Sequence, residues 1–252
     1  MPEGPEVKFI ESRLSILKGK KIKDLLMMNT SIGANIDRHN DLIDQKIYEV
    51  NTHGKNIYII CDNLVLYIHL MLSGRIHIYN KNIVDSLDAN PPKFHVALYT
   101  NDTIVYLSDN MNIAKYKVMT MDEYQEDISQ YGPDIYNITL DRFMKICDKK
   151  KNSMIHSWLV DQRVIAGVGN YLKAEILFCA KINPFKKTKD IEEPHLIELF
   201  HCMKRIIDDI LNQKGTKYSG NYELIVYRKD QVDGHEIVKE KNIYWVPDLQ
   251  IN

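Results

Sequence analysis

Apolar residues recur at Val7, Ile10, Leu14 and Leu17 behind Pro5, a spacing that puts them on one helical face and stops at Gly19, a suitable C-cap. The chain is therefore expected to open with a helix. From about Lys46 to Lys117 the pattern changes to short β-rich runs: KIYEV, NIYIIC, LVLYIHL, RIHIY, FHVALYT, TIVYLS and IAKYKVM. Asp62-Asn63 and Asn101-Asp102 fall where tight turns would join neighbouring runs, so the strands should pair antiparallel and build a β-sandwich or barrel.

Beyond Gly132-Pro133 the periodicity becomes helical. Leu140, Phe143 and Cys147 mark one face, SMIHSWLVDQ and YLKAEILFCAK follow, and a long helix is predicted from about His195 to Gln213. Leu196, Leu199, Phe200, Met203, Ile206, Ile207, Ile210 and Leu211 form its apolar side. Gly215 and Gly220 end the helical region, and two β-type runs, YELIVYR and IYWVP, close the chain as a hairpin. The seam between halves lies near residues 131–137, and no internal repeat or low-complexity segment interrupts either half.

With 252 residues and 44% hydrophobic content the chain can bury its core without disulfides. No apolar run approaches the ~20 residues of a membrane span, and the acidic, proline-bearing start does not read as a signal peptide. An intracellular protein is expected, acting wherever the genome is kept if it acts on nucleic acid. Cys61, Cys147, Cys179 and Cys202 lie far apart with no metal-ligand spacing and read as buried thiols. The nine histidines form no ligand motif, so neither metal nor diffusible cofactor is expected. The net charge is -1, but residues 1–140 carry 14 basic and 18 acidic groups against 19 and 16 in residues 141–252, which makes the second half mildly basic. Abundant Ile, Asn, Lys and Tyr with scarce Gly and Ala resemble proteins of AT-rich genomes, including those of large DNA viruses.

Two segments carry candidate chemistry. Removal of Met1 would leave Pro2 with a terminal secondary amine. An α-amino group titrates near 7.7 to 8.0, so a useful fraction is nucleophilic at neutral pH and can form an iminium at a sugar C1'. Glu3 beside it could serve as general acid, and Glu6, one turn into the helix, could hold the amine or a water. The bland alternative is that MPEGPEV only caps a helix. The second segment is DQRVIAGVGNYLKAEILF, residues 161–178: a turn through Gly167 and Gly169, then a helix opening at Asn170. Glycine amides, a helix N-terminus and the Asn170 side chain together suit a phosphate. An ordinary helical hairpin with closely packed glycines would look the same.

Taken together, the PEGPEV start, HGK at 53–55, HLMLSG at 69–74 and DQRVIAGVGNYLKAEILF resemble the formamidopyrimidine-DNA glycosylase and endonuclease VIII family of base-excision repair enzymes, in order and over nearly the whole chain. The resemblance implies an α+β fold: an N-terminal antiparallel β-sandwich with an N-terminal helix, and a C-terminal helical domain with a helix-two-turn-helix and a β-hairpin finger. DNA would lie in the cleft between them. The corresponding domains are 1–131, 132–218 and 219–252. Carried over position by position, Pro2 would be the Schiff-base nucleophile, Glu3 the acid and proton shuttle, and Glu6 a supporting carboxylate. Lys55 and Asn170 would hold phosphates, with Gly167 and Gly169 lending backbone amides.

The sequence departs from the family pattern in four places. No cysteine follows Cys202, and Val246 and Leu249 stand where the last two zinc ligands would be, so the finger is expected to be zincless. Lys241 replaces the finger's usual arginine and loses its bidentate fork. Leu72, Met111 and Ile113 occupy the loops that fill the void behind a flipped nucleotide, without the arginine that reads the orphaned base. Leu72 could equally be strand core. The stretch 215–227 is short where a longer loop would close over 8-oxoguanine. These departures imply the endonuclease VIII-like branch. The expected substrates are oxidised pyrimidines and hydantoins, in double-stranded and also single-stranded DNA, removed by a monomer with β,δ-elimination. A rival expectation is a non-catalytic damaged-DNA-binding protein of the same fold. An N-terminal proline acting as a base, as in tautomerases, would not account for GVGN and its helices.

Overall fold

A computed structural model describes residues 2–28, 33–34, 37–80, 94–214 and 222–251, without the side chains of 33–34. The chain divides into two compact units, Met1–Pro2 with Val7–Ser129 and Glu3–Glu6 with Gln130–Asn252. Sequence order would place residues 1–131 in one domain; packing instead assigns Glu3–Glu6 to the second unit, because their hydrogen bonds run to residues 167–172. The expected boundary at 218–219 lies outside the described residues, as do Gly215 and Gly220.

Helix α1 (Gly4–Leu14), which belongs to the first unit from Val7 onward, runs into a 3-10 turn and a left-handed Gly19 at φ +84°. Val7, Leu14 and Leu17 are fully buried, as their spacing predicts. Among the described residues nine strands follow: β1 (Asp24–Met27), β2 (Gly33–Ala34), β3 (Ile47–His53), β4 (Asn56–Cys61), β5 (Leu64–His69), β6 (Arg75–Asn80), β7 (Val96–Tyr99), β8 (Thr103–Ser108) and β9 (Lys115–Thr120). They form two sheets, ordered β1-β7-β8-β6 and β2-β9-β5-β4-β3, with antiparallel pairing throughout except between β2 and β9. Asp62-Asn63 and Asn101-Asp102 make the turns assigned to them.

Alternation explains the layering. Ile57, Ile59 and Cys61 of β4 point into the shared core with Leu66, Ile68, Val105 and Leu107, whereas Tyr58 and Ile60 point the other way. That second face is covered by α2 (Met121–Ser129) through Tyr124 and Ile128, so β4 is buried on both sides and reads as a continuous apolar run.

The second unit contains α3 (Leu140–Lys149), α4 (Ile155–Trp158), α5 (Asn170–Cys179) and α6 (Glu193–Asn212). Only Ile155–Trp158 of SMIHSWLVDQ are helical; Met154 before them bridges Lys187, and the residues after them begin the turn that leads to α5. The buried faces of α3, α5 and α6 share one core with Trp158, whose indole N–H donates to Thr188 at 2.9 Å. Two hairpins end the chain, β10 (Gln231–Val232) with β11 (His235–Glu236) and β12 (Val238–Glu240) with β13 (Ile243–Trp245).

Two expectations are corrected here. YELIVYR is not a strand: the buried Glu175 carboxylate accepts the amides of Ile225, Val226 and Tyr227 at 2.9, 2.9 and 2.8 Å, which leaves no ladder for them to join. Burial pushes the Glu175 pKa up, and these three donors pull against it. A Glu175→Ala variant strands three amides and is expected to lose about 3 kcal/mol of stability, read from denaturant midpoints at constant m-value. The cysteines are not four thiols either, since Cys179 at the end of α5 is bonded to Cys202 of α6. Glu198 lies beside them, but the Arg205 guanidinium stands 2.9 Å from one sulfur and 3.2 Å from the other, placing positive charge where a cation would sit. Cys61 and Cys147 are buried thiols, and burial pushes both up to about 12.

Candidate active site

Helix α5 begins with Gly169 as N-cap, a residue with no side chain to satisfy the helix's first amides. Glu3 does this from the other end of the chain. Its Oε2 accepts from the Gly169 and Leu172 amides at 2.7 and 3.2 Å, and its Oε1 accepts from Tyr171 at 3.1 Å. A carboxylate at a helix N-terminus is also favoured by the helix dipole, and these charge-assisted bonds lie out of solvent, since Glu3 is buried.

Glu6 secures the preceding peptide. Its Oε2 accepts the Glu3 amide at 3.0 Å, the backward half of a capping box at the start of α1, and also the Tyr171 hydroxyl at 2.5 Å. Tyr171 is held well above its ordinary pKa, first by burial and then by the charges of Glu6 and Glu3, so it remains a donor. Gly4 donates to the Gly167 carbonyl at 2.9 Å. Pro2, half-buried, is bonded to the peptide nitrogen that Glu6 holds.

The two glycines therefore have a different role from the one their sequence suggests. The Gly167 amide donates to Gln162 Oε1 at 3.0 Å and the Gly169 amide to Glu3, so neither is open to a phosphate. Gly167 adopts φ +111°. A Cβ on Gly169 would stand 2.2 Å from the Glu3 carboxylate carbon. The anion bound at this helix N-terminus is the protein's own. Gln162, which the motif reading passed over, shapes the turn further by donating to the carbonyls of Val160 and Val168 at 2.9 and 2.8 Å.

Asn170 is partly exposed beside this cap, and its Oδ1 accepts from Lys173 Nζ at 3.2 Å. The same ammonium lies 3.4 Å from the carbonyl of Asn242, which with the exposed, left-handed Lys241 (φ +56°) makes the turn between β12 and β13. Asn170 and Lys241, named separately in the sequence, thus belong to one cluster through a residue that sequence reasoning missed.

In the first unit, Lys55 sits in the Gly54-Lys55 turn between β3 and β4 and is largely buried. Burial, then the Lys55 and Lys115 charges, lower His69 to about 4, so it is neutral at pH 7. Its Nδ1 accepts the Met71 amide at 3.0 Å and turns the chain into a loop that exposes Leu72. Leu72 is 54% exposed and Met111 55%, which rules out the strand-core alternative for Leu72. Ile113 is half-buried.

One carboxylate joins the Leu72 and Met111 loops. Asp109 accepts the Ser73 hydroxyl and the amides of Met111, Ile113 and Ala114, the last three at 3.1, 2.6 and 2.6 Å. Burial alone would raise its pKa, but these four donors outweigh that and hold it below the ordinary value. Its folded pKa is thus depressed, so its contribution is present above the unfolded value of about 3.9 and lost as pH falls through the folded one. The amide resonances of Met111, Ile113 and Ala114 should stay fixed from pH 7 to about 4 and move only below it in an NMR titration.

Comparison with known proteins agrees across both units. Residues 1–116 match the family model described as formamidopyrimidine-DNA glycosylase N-terminal domain, and residues 131–220 match that of the formamidopyrimidine-DNA glycosylase H2TH domain. The chain is 28% identical over 226 residues to formamidopyrimidine-DNA glycosylase of Lactobacillus helveticus, covering 86% of this chain and 79% of that one. It is 27% identical over 265 residues to Endonuclease 8-like L720 of Acanthamoeba polyphaga mimivirus, covering 96% and 94%. Solved structures of Lactococcus lactis Fpg bound to DNA containing an oxidised pyrimidine, or an abasic site, share the fold with a TM-score of 0.86 at 22% identity, covering 100% and 99% of this chain and 100% of theirs.

Proposed function

Because the chain belongs to the formamidopyrimidine-DNA glycosylase and endonuclease VIII family, and is a DNA glycosylase and AP lyase of base excision repair, we propose that it removes oxidised pyrimidines and hydantoins through an imine formed on Pro2. The observation that carries this reading is the anchoring of Glu3 and Glu6. Three amides of α5 hold Glu3, and Glu6 holds the peptide that follows Pro2, so the terminal amine is presented from a fixed backbone.

The Pro2 nitrogen attacks C1' of the flipped nucleoside, the glycosidic bond breaks, and the base leaves with a proton. Loss of the nitrogen's own proton and opening of the sugar give the iminium. Removal of a C2' proton then expels the 3' phosphate, and a second elimination expels the 5' phosphate. Lys55, Asn170 and Lys241 bind the DNA backbone, and Leu72, Met111 and Ile113 fill the void behind the flipped nucleotide. The exposure of Leu72 and Met111 on loops fixed by Asp109 supports that assignment.

Among the described residues, the finger brings no group of three or more His, Cys, Asp or Glu side chains together. Val246 and Leu249 instead pack with Val226, Ile237, Phe178, Val232 and Tyr244, and Gln250 fastens the end of the finger by donating to the Ile182 carbonyl at 2.9 Å. This supports a zincless finger held by side-chain packing. No helix among the described residues is long and apolar enough to cross a membrane.

The lesion preference rests on SDNMNIAK, which offers no arginine to the orphaned base, and on the short 215–227 stretch, of which 215–221 lies outside the described residues. Likeness to the mimivirus protein named endonuclease 8-like supports the same reading. Single-turnover kinetics on duplexes carrying dihydrouracil, thymine glycol, a hydantoin or 8-oxoguanine should rank 8-oxoguanine last, with little dependence on the opposite base. Fastest excision of 8-oxoguanine would overturn the preference.

A further inference from the structure

We propose that Lys173 is a positioning residue for DNA binding: it orients the Asn170 amide and ties the start of α5 to the turn of the last hairpin. The inference rests on the reading of Asn170 as a phosphate contact.

Lys173 lies one turn after Asn170 and is 3% exposed. A lysine so buried needs partners for its charge. Two of them are the Asn170 Oδ1 at 3.2 Å and the Asn242 carbonyl at 3.4 Å. An ammonium only donates, so it selects the carbonyl oxygen of the Asn170 side chain and excludes the flipped amide, whose NH2 would face it. The Asn170 NH2 is left pointing away from Lys173 with two donors, the end that can bind a phosphate oxygen. An unbraced Asn170 would sample both orientations, and one of them presents an oxygen to the phosphate.

The Asn242 bond extends the effect. Lys241 immediately precedes it, so one buried ammonium restrains a side-chain donor on α5 and the backbone that carries the finger's cation. Burial lowers the Lys173 pKa, and the Glu3 charge opposes this only in part. Lys173 cannot take the phosphate itself, because its head is enclosed and directed to these two oxygens.

The test is a double-mutant cycle on the full chain, with affinity for a duplex containing a tetrahydrofuran abasic analogue measured by fluorescence anisotropy. Asn170→Ala and Lys173→Met should each weaken binding by roughly tenfold, the worth of one charge-assisted hydrogen bond. The double variant should be weaker than Asn170→Ala alone by no more than the part of Lys173 that acts through the Asn242 carbonyl, well short of the product of the two single losses. Lys173→Gln keeps one donor beside Asn170; it should lose less than Lys173→Met, and it stands in if that variant does not fold. Multiplicative losses in the cycle, or wild-type affinity in either Lys173 variant, would overturn the proposal. A lower melting temperature at unchanged affinity would do the same, marking Lys173 as structural only. Should Asn170→Ala bind like wild type, the phosphate reading of Asn170 fails first, and the inference falls with it.

Discussion

A chain carrying one extra residue ahead of Pro2 should bind an abasic-site duplex yet form no borohydride-trapped adduct. The extra residue converts the Pro2 secondary amine into a tertiary amide, whose nitrogen lone pair is delocalised into the carbonyl and cannot attack C1'. The cap of α5 should survive the change, because the carboxylates beside Pro2 accept from the α5 amides and from the Tyr171 hydroxyl. Trapping should therefore fall to background while affinity stays within a few-fold. Gel shift, denaturing gels and the mass of the N-terminal peptide separate the two effects. An adduct of undiminished yield from the extended chain would place the imine on a lysine and remove Pro2 from the mechanism.

Gly169→Ala should reduce excision of dihydrouracil by about a hundredfold or more. Its backbone, at φ -128° and ψ -159°, is open to any residue, so the effect is one of contact. The added Cβ would lie 2.2 Å from Glu3 Oε1 and 2.7 Å from Oε2, closer than any carbon can approach. Glu3 must leave, and with it go three charge-assisted bonds, each worth about 1.5 to 3 kcal/mol. Two consequences follow together: the start of α5 loses its cap, and the residue that follows Pro2 loses its anchor. Loss of even two such bonds removes about 3 kcal/mol or more of stability from the start of α5. Single-turnover excision and thermal melting, run on the same preparation, should both fall. Wild-type excision with alanine at this position would show that Glu3 reaches its task without the α5 amides.

The first unit was legible because its signals are local. Alternating apolar runs and two-residue Asx turns specify strands and hairpins from a few neighbouring positions. Its misses are also local in origin. The nine residues of α2 are mostly polar, with only Tyr124 and Ile128 meeting the sheet beyond Met121, too few to set a helical period. β1 offers only four residues of alternation, Asp24–Met27.

YELIVYR shows the reverse error: its apolar content suits a strand, but the Glu175 carboxylate of α5 took its amides.

What the sequence determined by itself was most strands and hairpin turns of the first half and the helical character of the second, because each is written in side-chain type and short spacing. What only the tertiary structure decided was who meets whom. A glycine turn before a helix has the same sequence whether its amides hold a phosphate or a carboxylate. Here the partner is Glu3, 166 residues away from Gly169, and no local pattern encodes a contact at that separation. The same holds for Lys173, which reads as an ordinary polar position of α5 until Asn170 and the last hairpin close around it. Local propensity selects elements, but a buried polar group takes whichever partner the packed chain brings within reach, and that choice exists only once the chain has folded.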